Sequence, residues 1–122
     1  MLDYTELKNK GGLAPWPEFG DLPFVKVLSG EPKHNGRHDL GNFETRLQVG
    51  VWECSTGKFE YTYTGDEICT LLEGRVVITD ADGAMHRFAA GDTFFTNQGE
   101  TVTWEVLEPV KKIFHIHNKE GA

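Results

Sequence analysis

Between Glu44 and His117 apolar and polar residues alternate or gather in short runs. The clearest case is Phe59, Tyr61 and Tyr63, interleaved with Glu60, Thr62 and Thr64. A period of two puts successive side chains on opposite faces, so this segment predicts a half-buried strand. Similar segments span Phe24–Leu28, Glu44–Cys54, Ile68–Leu72, Val76–Thr79, Met85–Phe88, Thr93–Thr96, Thr101–Leu107 and Lys112–His117. Turn residues separate them: Ser55-Thr56-Gly57, Gly65-Asp66, Glu73-Gly74-Arg75, Gly91-Asp92 and Gln98-Gly99. Asp80-Ala81-Asp82-Gly83 predicts a hairpin, because glycine supplies the positive φ of a tight turn. Roughly nine short strands, with no helical period longer than two turns, predict an all-β sandwich or barrel.

The flanks differ. Residues 1–23 predict an irregular arm, because Pro15, Pro17 and Pro23 interrupt any ladder. Leu13, Trp16, Phe19 and Leu22 are too apolar for a free tail, so the arm lies on its own barrel or crosses to a second subunit. Residues 29–42, SGEPKHNGRHDLGN, predict a polar loop with His34 and His38 at the surface. The expected organisation is an arm over 1–23 and one barrel over 24–122.

A chain of 122 residues is one domain's worth. Twelve basic against nineteen acidic residues give a net charge of −7, which disfavours nucleic acid and anionic membrane as partners. The opening MLDYTELKNKGG has no apolar core of a signal peptide, and no apolar run nears the ~18 residues that span a bilayer. A cytoplasmic location is expected, with Cys54 and Cys69 as reduced, buried thiols.

Residues 57–106 resemble the cupins, small jelly-roll barrels. Their first motif sets a glycine, two alternate histidines, a glutamate and a second glycine. Glu67, the six residues ICTLLE and Gly74 match its end, while Tyr61 and Tyr63 stand at the histidine positions and Gly57 is displaced. In the second motif Gly91 and Gly99 match, with Asn97, Val102 and Val106 at the proline, histidine and asparagine positions. Over about 44–117 the chain looks like the small cupins related to the ureidoglycine aminohydrolase cupin domain. That likeness rests on Gly50-Val51-Trp52, Tyr61, Glu67-Ile68, Leu72-Glu73-Gly74, Gly91-Asp92 and Trp104-Glu105-Val106 running on to Lys112. The resemblance implies an all-β cupin-type double-stranded β-helix.

Of the usual metal-ligand positions only Glu67 keeps the family's residue, and one carboxylate cannot hold a transition ion. No cofactor is expected. A divalent metal would need a new set, Glu67 with His115 and His117, which share one strand face. Phe114 and Ile116 on the opposite face are the better core candidates. Alternation puts Phe59, Tyr61 and Tyr63 opposite Val102, Trp104 and Val106, with Glu67 between. Burial there should raise the Glu67 pKa unless a cation such as Lys112 compensates. The candidate acid/base residues are Glu67, Tyr61 and Tyr63; the candidate pocket adds Phe59, Val102, Trp104, Val106 and Lys112. In the alternative, Glu67 bonds both tyrosine hydroxyls and only satisfies the core.

Three functions follow. The barrel binds a small molecule, with aromatic walls and Glu67 as the orienting group. It is an enzyme: the resemblance implies hydrolysis or deamination of a ureide-like nitrogen compound, and Glu67 with a tyrosine would suit an isomerase. Or it is a structural, dimerising barrel. A homodimer is expected, because a jelly-roll edge needs covering.

Overall fold

The structure, a computed structural model, describes residues 1–7 and 12–119; the stretches 8–11 of the expected arm and 120–122 of the expected barrel lie outside the described residues. Helix α1 spans only Tyr4–Leu7, and a 3-10 turn covers Phe19–Asp21. The strands are β1 (Ala14–Pro15), β2 (Val25–Ser29), β3 (His34–Leu40), β4 (Leu47–Cys54), β5 (Gly57–Thr62), β6 (Asp66–Thr79), β7 (Met85–Ala89), β8 (Thr93–Thr96) and β9 (Thr101–His117). The all-β expectation holds.

All pairing is antiparallel, and β9 is the central strand. Its C-terminal half pairs with β4, its N-terminal half with β5, and both halves with β6 along the other edge. Strand β6 also carries β7 and β8, β5 carries β2, and β4 carries β3 and then β1. The sheet thus curls around a common interior.

Strands β6 and β9 are each continuous where sequence predicts two. The expected break at Gly74 is a bulged bend, with the register shifting between Leu71 and Val76. Gly74 has φ 92°, and a Cβ there would come within 2.3 Å of the Pro109 carbonyl oxygen. Its missing side chain lets both strands turn the corner together. Pro109 sits in that bend, where its lack of an N–H is tolerated.

Residues 34–40 are not the loop that their composition predicts. Strand β3 pairs His34, Gly36 and His38 with Cys54, Trp52 and Gly50, so this face turns inward. His34 is buried and His38 is half-buried, which corrects both surface assignments. The physical reason is tertiary. Trp16 packs on Gly36 so closely that a Cβ there would lie 2.2 Å from the indole, and Phe19 stacks on His34 at 4.2 Å. The arm therefore lies on its own barrel, with Phe19 buried in the core and Trp16 and Leu22 packed against it. Among the described residues no helix is long and apolar enough to cross a membrane.

Candidate functional site

Alternation along β5 aims Phe59 and Tyr61 inward, and Tyr63 follows just beyond the strand's end. The same period along β9 turns Trp104, Lys112, Phe114 and Ile116 to the interior. Trp52 comes from β4, Glu67 from β6, and Trp16, Pro17 and Phe19 from the arm. Together they line a cavity of about 460 Å³.

At its wall lies a buried ion pair. The side chains of Glu67 and Lys112 are 4% and 9% exposed, and Lys112 Nζ donates to Glu67 Oε2 at 2.5 Å. The same ammonium lies 4.8 Å from the ring centroid of Trp52 and 5.0 Å from that of Trp104. Indole faces attract a cation, so two rings and one carboxylate share this charge. Burial works against the ammonium, but the Glu67 charge and its hydrogen bond outweigh it and raise the Lys112 pKa. Lys112 is held protonated and is no amine nucleophile.

Burial, and then the Glu67 charge, raise the pKa of both Tyr61 and Tyr63, so each stays a neutral phenol. Trp104 Nε1 donates to the Tyr63 hydroxyl at 3.2 Å. The bonds from Glu67 to both tyrosines that the alternative reading supposes are not found among the described residues; its hydrogen-bond partner there is Lys112. Among the described residues no hydrogen bond reaches the Tyr61 hydroxyl, which borders the cavity.

His34 is the residue that sequence reasoning missed. Its Nδ1 accepts from Trp52 Nε1 at 3.0 Å, and its Nε2 lies 2.5 Å from the Pro17 carbonyl oxygen. These partners assign the neutral tautomer with hydrogen on Nε2. Burial lowers the His34 pKa and favours that neutral form, against smaller opposing effects of the Pro17 bond and Glu18. The imidazole thus ties the arm to the cavity wall. The signal was present as the alternation His34, Gly36, His38, hidden under a composition typical of turns.

Of the expected pocket residues, Phe59, Tyr61, Tyr63, Glu67, Trp104 and Lys112 all line the cavity. Val102 and Val106 do not, which corrects that part of the assignment. They face inward where Val76, Ile78, Phe88 and Phe94 already fill the barrel. Cys54 and Cys69 are buried free thiols whose pKa burial pushes up to about 12, so neither is a ready nucleophile.

The donor set does not fit the metal that the resemblance implies. Phenols and Val102 stand at the histidine positions, and the Lys112 ammonium already meets the Glu67 charge. Among the described residues no group of three or more His, Cys, Asp or Glu is arranged to hold an ion. The set Glu67, His115 and His117 is also excluded by register. Glu67 pairs with Ile116, while His115 and His117 pair with Ile68 and Asp66 on the opposite face.

A curled antiparallel barrel whose first-motif residues Tyr61, Tyr63 and Glu67 line an interior cavity has the form of a cupin. The chain belongs to the EutQ-like cupin domain family, whose model matches residues 41–114. The match reaches that family and stops short of the ureidoglycine aminohydrolase subgroup. Among proteins with curated descriptions no match is found. Among solved structures the chain is similar to a Thermotoga maritima DUF861 family protein, 35% identical, covering 54% of this chain and 75% of that one at a TM-score of 0.52. The Clostridium difficile EutQ protein is 19% identical over 71% of this chain and 69% of its own, with a TM-score of 0.61. A DUF861 protein of unknown function from Pseudomonas syringae is 24% identical over 88% of this chain and 45% of its own, with a TM-score of 0.74. The two below 25% identity share the fold.

Proposed function

We propose that the barrel binds a small organic molecule in its aromatic cavity, oriented by Glu67, Lys112 and the Tyr61 hydroxyl. The observation that carries this is a cavity of about 460 Å³ with a buried ion pair at its wall. Ligand sites are typically ~300–1,000 Å³, mostly apolar, with a few placed polar groups. A barrel kept only as scaffold gains nothing from leaving such a space open.

The chain's three tryptophans all border this cavity, so intrinsic emission reports its occupancy. The test is a screen of small metabolites by tryptophan emission and thermal shift. A true ligand at about a hundred times its Kd should stabilise the fold by about 2.7 kcal/mol. A broad library that moves neither signal would overturn the reading.

A second reading is catalytic. The Tyr61 phenol, held neutral and with no hydrogen bond among the described residues, and the Glu67 carboxylate form a potential acid/base pair. This suits an isomerisation. The subgroup resemblance adds hydrolysis or deamination of a ureide-like compound, with no step assigned to a metal. Turnover of a ureide or keto-acid panel that disappears in Glu67→Gln would favour it. The partner arrangement carried forward is a homodimer formed through a sheet edge, since β1 and β2 end the strand order. Light scattering at micromolar concentration tests it, and a monomer mass ends it.

A further inference from the structure

We infer that the cavity selects a neutral molecule carrying a hydrogen-bond donor and acceptor side by side on a planar apolar body, such as a primary amide, lactam or urea. The inference rests on the cavity being the binding site proposed above.

Charge comes first. The two ions buried in the cavity wall are Glu67 and Lys112, and they cancel. Tyr61, Tyr63 and His34 face the same space as neutral groups, and Glu44 is exposed at its rim. An anion drawn to Lys112 meets the Glu67 charge beside it; a cation drawn to Glu67 meets Lys112. An anion would give up its hydration for walls that hold no net countercharge, and a cation drawn to the Trp52 and Trp104 faces meets the Lys112 ammonium already seated against them; both are unfavourable. A neutral ligand avoids that loss.

Hydrogen-bonding capacity comes second. Glu67 receives one bond, from Lys112 to Oε2, and its other oxygen has no hydrogen bond among the described residues. A carboxylate offers about four lone-pair sites and an ammonium three N–H donors. One contact uses one of each. The pair therefore presents an acceptor next to a donor, and the Tyr61 hydroxyl adds another group nearby. An amide or urea edge offers the complement, N–H beside C=O. Aromatic walls favour a flat body: the half-buried rings of Trp16 and Tyr61 border the cavity beside Trp52.

The experiment measures binding of four size-matched probes by tryptophan emission and calorimetry at pH 7: benzamide, benzoate, benzamidine as its cation, and toluene. Benzamide should bind at least tenfold more tightly than the other three. Glu67→Gln leaves Lys112 unopposed, so the preference should move toward benzoate. Lys112→Met leaves Glu67 unopposed, so it should move toward benzamidine. If Lys112→Met fails to fold, the near-isosteric Glu67→Gln variant carries the test alone. A charged probe matching benzamide in the wild type overturns the inference, as does toluene matching it. If metabolites from the screen bind and none of the four probes competes, the inference falls while the cavity stands. If nothing binds at all, both fall.

Discussion

Strand β9 runs through two environments without changing its pattern. In its first half, Val102 and Val106 point inward and meet side chains that fill the space, with Trp104 between them reaching the cavity's edge. In its second half, Lys112, Phe114 and Ile116 point the same way and meet a cavity and a carboxylate. One alternation serves both halves. Period two fixes which way a residue faces; what it faces depends on strands far along the chain.

The largest test of this contrast is the charge. Lys112→Met removes the cation and leaves Glu67 buried without its partner. Breaking a buried pair this way destabilises by about 3–5 kcal/mol. The double variant Glu67→Gln/Lys112→Met should recover most of that loss in a denaturant melt. A Lys112→Met protein as stable as the wild type would mean that water reaches Glu67 freely.

A matched pair of smaller deletions follows. Ile78 is 3% exposed in the filled half, whereas Ile116 is half-buried at the cavity. Removing one methylene costs ~0.5–1.5 kcal/mol depending on how tightly the site is packed. Ile78→Val should lie near the top of that range and Ile116→Val near the bottom. Equal losses would show the two halves to be equally dense.

The smallest effect is the pH dependence of the tie between arm and wall. Burial holds the His34 pKa below its ordinary value of about 6.5. Below that pH the unfolded chain binds a proton that the folded chain refuses. The stabilisation is thus fully present above about 6.5 and is lost as pH falls toward the lower folded value. The wild type should weaken between pH 7 and pH 5, and His34→Gln should weaken less. Identical pH profiles would remove His34 from that role.

Much of this was legible in the sequence, for identifiable reasons. Alternation exposed β5 and both halves of β9, and it placed Phe59, Tyr61 and Trp104 beside Glu67 correctly. It also favoured Phe114 and Ile116 as the inward residues over His115 and His117, a choice that only the pairing of β6 with β9 resolves. Strand β3 was not legible, because its Asn35, Gly36 and Asp39 carry turn propensities that pairing with β4 and the Trp16 contact override. The emptiness beside Lys112 was not legible either. Val102 and Val106 were assigned to a pocket on direction alone, and the residues that fill that end come from β6, β7 and β8.

The close fit of Trp16 on Gly36 has a kinetic consequence. Trp16, Pro17 and Phe19 border the cavity, so the arm that carries them forms part of its wall. Displacement of such segments takes microseconds to milliseconds. Under the proposed binding function, the arm would govern how long a molecule stays and the Glu67 and Lys112 wall which molecule stays. Gly36 has an ordinary backbone conformation, so Gly36→Ala strains no dihedral and disturbs only the seat of the indole. That one methyl group should shorten the residence time of any bound compound and leave the order of preference among compounds unchanged.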